Sequence, residues 1–243
     1  MSRTTVTFNG TDLTASYRVS DLRTSLLPRR VATAKVPGMD GAVLTSAPMD
    51  VRTITLTLSV MGTDVAARQT AARALASALN VSEPKPLAIS IDGGLYYMAL
   101  PESGGDATRF YNAIQFEVDF TCFDPVAYGT EKTVTVPSGG NATFTVNGTY
   151  PTMPTISVPQ ATNGAQGYWR LSLEDGSYLI ATIPTGVQNA PIVADCANRV
   201  LKVNGSVVIL QPEADWLVLT PGQHKLTMVG GGAATVTYRE RWV

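Results

Sequence analysis

Charge is what this sequence has least of. Only 15% of its residues are Asp, Glu, Lys or Arg, against roughly a quarter in ordinary soluble domains. The 18 basic residues nearly cancel the 19 acidic ones, leaving a formal net charge of −1. Such a balance builds no concentrated basic face, so sequence-specific nucleic-acid binding is not expected. Arg29-Arg30 and the Arg239, Arg241 pair are too small to form a basic stripe. Histidine is reduced to His224, and cysteine to Cys122 and Cys196. One imidazole and two distant thiols make neither a His- or Cys-rich zinc site nor a disulfide framework. Both thiols are expected to act as small buried hydrophobes. No run of about 18 apolar residues occurs, which leaves no membrane-spanning helix. Met1 to Thr5 is polar and leads straight into a strand pattern, without the apolar segment of a secretory signal. The expectation is a soluble protein made in a cytoplasm, with no metal or other cofactor and no membrane partner.

What is present is a strong β signal. Ile54, Leu56, Leu58 and Val60 alternate with Thr53, Thr55, Thr57 and Ser59, a period of two that turns one face to a core. Ile114, Phe116, Val118, Phe120 and Cys122 alternate in the same way with Gln115, Glu117, Asp119 and Thr121, and Val236 and Tyr238 with Thr235, Thr237 and Arg239. Turn dipeptides agree: Asn-Gly at 9–10, 147–148, 163–164 and 204–205, and Asp-Gly at 40–41, 92–93 and 175–176. Both accept the positive φ of tight hairpins. A single helix is expected over Val65 to Leu79, capped by Thr63 or Asp64, with Val65, Ala72, Leu75 and Leu79 on its buried face. It should pack on a sheet in the first half of the chain.

A turn-rich stretch, Pro137-Ser138-Gly139-Gly140-Asn141, lies near the middle. Beyond it short strands repeat without a helix, the pattern of a sandwich or jelly roll. The fold class expected is mainly β. An α+β domain at residues 1–130, with one helix on an antiparallel sheet, is followed by a β-sandwich domain at 131–243.

Candidate chemistry is sparse. A Ser-His-Asp arrangement would need His224, which the sequence places as an exposed residue where a turn enters a strand. The carboxylate groups Glu174-Asp175, Glu213 with Asp215, and Asp119 with Asp124 read as turn-forming or solvated rather than as an acid–base pair. Gly104-Gly105 and Gly230-Gly231-Gly232 lack the strand-to-helix context and Lys-Ser/Thr ending of a phosphate loop, and read as loop and hairpin tips. Aromatic residues carry more weight, because exposed rings on a sandwich can stack on sugars. Tyr168, Trp169, Tyr178, Trp216 and Trp242 are the candidates, with Trp169 and Trp216 the saccharide contacts of choice and core positions their alternative reading.

The order of motifs resembles a known family. Phe8-Asn9-Gly10-Thr11-Asp12-Leu13 is followed by Val36-Pro37-Gly38-Met39-Asp40-Gly41, the strand from Arg52 to Leu58, and the capped helix. Lys85-Pro86-Leu87 and Tyr96-Tyr97-Met98-Ala99-Leu100 come next. Over roughly residues 6–125 this is similar to the N-terminal domain of siphophage distal tail proteins. The second half resembles the galectin-like C-terminal domain of that family, ending in a hairpin made of 225–229, the glycines 230–232 and 235–242. The resemblance implies a non-enzymatic homohexameric ring at the virion tail tip. Its expected neighbours are the tail tube protein, the tail-tip hub or tail-associated lysin, and receptor-binding or side-tail proteins. A closed ring needs two unlike patches on each copy. The loop 36–44 is the candidate for one of them, through Val36, Pro37, Gly38, Met39, Asp40 and Gly41, with an ordinary intradomain loop as the other reading. The alternative function is a module that binds host cell-wall saccharide.

Overall fold

The computed structural model describes residues 4–62, 64–102, 107–184, 186–187 and 189–243, so Thr63 and Gly104-Gly105 lie outside the described residues. The chain forms two compact units, Met1–Ala127 with Val243, and Tyr128–Trp242. The fold is mainly β, with antiparallel sheets throughout.

In the first unit β1 (Val6–Phe8) and β2 (Thr11–Asp12) form a hairpin across Asn9-Gly10, both residues at positive φ. The unit continues with β3 (Arg18–Thr24), the short pair β4 (Ala32–Ala34) and β5 (Val43–Ser46), and β6 (Arg52–Met61). Helix α1 (Val65–Leu79) follows, then β7 (Lys85–Ile89), β8 (Tyr96–Pro101), β9 (Thr108–Arg109) and β10 (Ala113–Cys122). The two alternating strands of the sequence are neighbours. β10 pairs with β6 over its full length, from Ala113↔Met61 to Cys122↔Arg52, and β3 flanks β6 on the other side. Their inward residues Ile54, Leu56, Leu58, Val118 and Phe120 are buried, and Phe120 meets Phe8 edge-on at 5.2 Å between centroids.

Helix α1 begins at Asp64, whose side chain accepts the Ala66 amide at 2.9 Å. Its buried face runs through Arg68, Ala71, Leu75 and Leu79. Val65, expected on that face, is 60% exposed. It occupies the first helical position, where the backbone has only begun to turn toward the sheet, and the buried stripe starts one turn later. Arg68 takes the inward place by donating to the Gly62 carbonyl, which closes the strand-to-helix connection. The Tyr17 hydroxyl donates to the Ala71 carbonyl at 2.8 Å and ties the helix to the core.

Arg52, at the start of β6, is 4% exposed. Its Nε donates to the Pro125 carbonyl at 2.7 Å and its Nη1 to the Ser25 carbonyl at 2.8 Å, while the Tyr97 ring lies 5.5 Å from the guanidinium carbon. It makes no ion pair among the described residues. Main-chain carbonyls accept its hydrogen bonds, as burial of a charge requires.

The second unit is a two-sheet sandwich. It contains β11 (Ala127–Val136), β12 (Asn141–Val146), β13 (Thr155–Ala161), β14 (Trp169–Leu173) and β15 (Tyr178–Ala181). The remaining strands are β16 (Ala190–Asp195), β17 (Val200–Val203), β18 (Ser206–Val208), β19 (Gly222–Val229) and β20 (Ala234–Trp242). One sheet runs β18-β17-β16-β13-β20-β11 and the other β12-β19-β14-β15. Between them lie Trp169, Leu171, Leu179, Ile156, Ile192, Leu226 and Val236, all fully buried. The Asn204-Gly205 turn joins β17 to β18 with both residues at positive φ, as a two-residue hairpin requires.

The terminal hairpin expected from β19 and β20 does not form. The two strands belong to opposite sheets, and the three glycines carry the chain across the sandwich. Gly231 bridges Thr162 there, and a Cβ on Gly230 would lie 2.8 Å from the Thr162 carbonyl oxygen, so only glycine permits the approach.

Glu240 is the buried carboxylate of this unit. Its Oε1 accepts from Lys132 Nζ at 2.7 Å, the Asn147 amide at 2.9 Å and Asn147 Nδ2 at 3.1 Å. Burial by itself raises its pKa, but the bonds from Lys132 and Asn147 outweigh that and hold the carboxyl below the ordinary glutamate range.

Two outcomes are expected. Arg52→Met strips charge-assisted bonds from buried carbonyls and should cost about 3 kcal/mol in chemical denaturation. It should also speed tryptic cleavage at Arg29, Arg30 and Lys35; a loss below about 0.5 kcal/mol, the size of an ordinary surface change, would refute the anchoring role. For Glu240, a folded pKa below the unfolded value means stability present above the unfolded pKa, near 4.3, and lost as pH falls through the folded one. The melting-temperature advantage of the wild type over Glu240→Gln should therefore be complete at about pH 6 and shrink as pH falls below about 4.3; a constant difference over that range would contradict it.

Candidate assembly arm

Between β3 and β6 the chain leaves the sheet as a two-stranded arm. Its root is pinned by Arg52 holding the Ser25 carbonyl. Above the root, main-chain bonds cross from Asp50 N to Pro28 O and from Arg30 N to Pro48 O, both at 3.1 Å, and an isolated bridge joins Arg29 to Met49. β4 and β5 continue the ribbon as Ala32↔Ser46, Thr33↔Leu44 and Ala34↔Val43. At the tip Val36-Pro37-Gly38-Met39 closes a turn, with the Met39 amide donating to the Val36 carbonyl at 3.2 Å and Gly38 at φ +83°. Proline at the second place and positive-φ glycine at the third are the demands of a type II turn.

The candidate residues Val36, Pro37, Gly38, Met39, Asp40 and Gly41 are thus the tip of a projecting arm, and every one of them is exposed. So are Leu26 at 89%, Val31, Val43 and Leu44 at 61%. Among the described residues β4 and β5 pair with no other strand. An isolated two-stranded ribbon is marginal in water, and a contiguous set of exposed aliphatic side chains marks an interaction surface. The sequence reading located the tip but not the root, nor the length of the arm. The available signal was the segment from Leu26 to Pro48, whose apolar residues follow neither period two nor 3.6.

The other sites behave differently. Trp169, read as a saccharide contact, is 0% exposed and fills the sandwich core on β14, so its ring offers no face to a sugar. Its inward place follows from the alternation that also buries Leu171 and Leu173. Trp216 is partly buried against the same core. His224, expected at an exposed turn, is buried. β19 already begins at Gly222, and His224, Leu226 and Met228 are its inward positions. Its Nε2 lies 2.6 Å from the Thr220 carbonyl, and its ring packs 5.9 Å from that of Phe144.

The carboxylates are engaged locally. Asp175 accepts from the Ser177 hydroxyl and amide at 2.7 and 2.8 Å, which lowers its pKa. Asp119 accepts from the Thr55 hydroxyl. Both cysteines are free and buried, and burial pushes each thiol up to about 12. Among the described residues no three His, Cys, Asp or Glu side chains gather as metal ligands, and no helix is long and apolar enough to cross a membrane. An open groove of about 690 Å³ beside α1 is lined by Ala72, Leu75, Leu79, Pro101 and Phe116, with Glu117 already paired to Arg23.

Comparison with known proteins gives a consistent picture. A model of the phage tail protein RIFT-related domain matches residues 9–122, and a model of the siphovirus-type tail component C-terminal domain matches residues 147–242. A search of curated proteins finds no match. Among solved structures, the SPP1 Dit protein, described as a paradigm of the hub adsorption apparatus in phages that infect Gram-positive hosts, aligns with TM-score 0.82. The identity is 20%, and the whole of both chains is covered. The baseplate of phage p2 in its activated conformation with Ca aligns at TM-score 0.54 and 8% identity, over 99% of this chain and 98% of that one. Its strontium counterpart aligns at 0.53 and 9%, over 98% of each. With one tail-component model on each half, the chain belongs to the siphophage distal tail protein family of siphovirus-type tail components.

Proposed function

We propose that the chain is a non-enzymatic component of the phage tail tip that closes into a homohexameric ring joining the tail tube to the hub, with receptor-binding proteins or a tail-associated lysin as further neighbours. The observation that carries this reading is the arm. A ring of identical subunits needs a patch that meets a different patch on the next copy. The arm supplies the first: an apolar ribbon that projects from the first unit and is anchored only at its root. Val36, Met39 and Leu44 would pack against the following subunit, and burial of these side chains would supply the ribbon with the stability it lacks alone.

The likeness to SPP1 Dit over the whole of both chains supports the same placement, since that protein is described as part of a hub adsorption apparatus. So does the likeness to a phage baseplate. A structural role also fits a chain in which Asp175 serves a turn, Glu240 and Asp119 tie neighbouring elements together, and the only histidine bonds to a carbonyl.

Negative-stain imaging of the purified protein should show annular particles. Met39→Asp with Leu44→Asp places two charges on the exposed arm, so the melting temperature should hold while the annuli disappear. Unchanged rings in this variant would remove the arm from the interface. A wild type that stays monomeric at high concentration, and also fails to assemble beside tube and hub components, would sink the reading as a whole.

A further inference from the structure

The outer face of the β12-β19-β14-β15 sheet carries an arrangement that the assembly role does not use. The burial pattern places Trp169, Leu171 and Leu173 inward, and so Arg170 and Ser172 outward. Strand register then fixes a straight row across all four strands: Asn141 opposite Thr227, Thr227 opposite Ser172, and Ser172 opposite Tyr178. At strand spacing this row of one amide and three hydroxyl groups spans about 14 Å. One step to one side stands Arg170, which pairs with Val229 and Ile180. One step to the other side stands Lys225, opposite Thr143.

Arg170 is held between two tyrosine rings, as Arg241 is between Tyr128 and Tyr150, but Arg241 also donates to the Pro151 carbonyl. The Arg170 guanidinium carbon lies 5.7 Å from the ring centroid of Tyr168 and 5.5 Å from that of Tyr178. Among the described residues it has neither a hydrogen-bond acceptor nor an ion-pair partner, and its Nε is buried without one. Most arginines with a fixed position in this fold donate to something: Arg52 and Arg68 to carbonyls, Arg23 and Arg239 to carboxylates. A planar fork already oriented by stacking has lost its conformational freedom before any ligand arrives, which favours bidentate capture of an oxyanion.

We propose that this face is a binding site for an acidic saccharide, a sugar polymer bearing carboxylate or phosphate groups. Arg170 takes the anionic group, Lys225 adds a second positive charge across the row, and Asn141, Thr227, Ser172 and Tyr178 bond to sugar hydroxyls. Hydroxyl and amide groups that both donate and accept suit a polyol better than an acidic peptide, whose side chains accept only. Neither Trp169 nor Trp216 takes part. The site is independent of ring closure by the arm.

The test uses the full-length protein and titration calorimetry at low salt with polygalacturonate as the carboxylate probe and a polyglycerol phosphate as the phosphate probe. Neutral dextran and polyglutamate serve as controls. Binding of at least one anionic polyol probe, weakened by salt and absent for dextran, is expected. Arg170→Lys keeps charge and stem but loses the fork and should weaken binding at least about tenfold. Lys225→Ala, at an exposed position where folding should be unaffected, should cost about two- to fivefold. Rings should persist in both variants.

Relative strength of the two polyol probes tells carboxylate from phosphate. The proposal is overturned by binding unchanged in Arg170→Lys, by no binding of either anionic polyol probe, by equal binding of dextran, or by polyglutamate binding as tightly as both. If Arg170→Lys melts early, the Lys225→Ala result and the salt dependence decide.

Discussion

The structure of the first unit turns on one buried cation. Arg52 sits at the point where the arm returns to the sheet, and its donors reach back to where the arm departs, at Ser25, and across to Pro125 beyond the end of β10. A guanidinium with no direct ion-pair partner among the described residues can be buried only if acceptors converge on its donors. The chain supplies them by bringing three separate segments to one place. The same bonds fix the direction in which a ribbon with no core of its own leaves the fold. Asp92, whose pKa burial raises and Arg52 lowers, shares this corner with Tyr97. Hydrophobic burial sets the sheet, and Arg52 decides how its longest excursion is held.

Much of the sheet was legible because alternation reports burial directly. Ile54, Leu56 and Leu58, and Val118 and Phe120 opposite them, are buried where period two puts them. Asn9-Gly10 and Asn204-Gly205 form the tight turns their positive φ values allow. The failures are as physical as the successes. The glycines at 230–232 looked like a hairpin tip, yet they carry the chain from one sheet to the other, and both arrangements use the conformational freedom of glycine. His224 looked like a turn residue because Pro221-Gly222 precedes it, but the strand starts at once and the register turns it inward. Val65 fits a helical stripe by spacing, but the stripe begins only where the helix reaches the sheet.

The candidate site was harder to read, because in one dimension an aliphatic residue waiting for a partner looks like one in a core. Leu26, Val31 and Leu44 differ from Leu56 and Leu58 only in having nothing of their own chain above them. Trp169 shows the reverse: a ring that composition marks as a possible sugar platform is committed to the sandwich interior, while the tyrosines beside it, Tyr168 and Tyr178, stay at the surface and grip Arg170. Arg52 carried no local signal at all, since its acceptors lie 26 to 73 residues away.

The two proposed surfaces account for low charge differently in the two units. On the first, the arm exposes aliphatic side chains, and like charges placed there would oppose packing against another copy. On the second, the outer sheet face presents hydroxyl and amide groups and, among the described residues of its strands, two cations, one of them stacked between rings. Neutral hydrogen-bonding groups lose less on desolvation than ions do, so a face that binds a polyol, as proposed for this one, gains from having few charges, each in a defined place. The two surfaces use opposite chemistry, aliphatic contact on one and oriented hydrogen bonds on the other, and they lie on different units of the chain. Substitutions that disturb one therefore need not disturb the other, so assembly and ligand capture could change independently within one sequence.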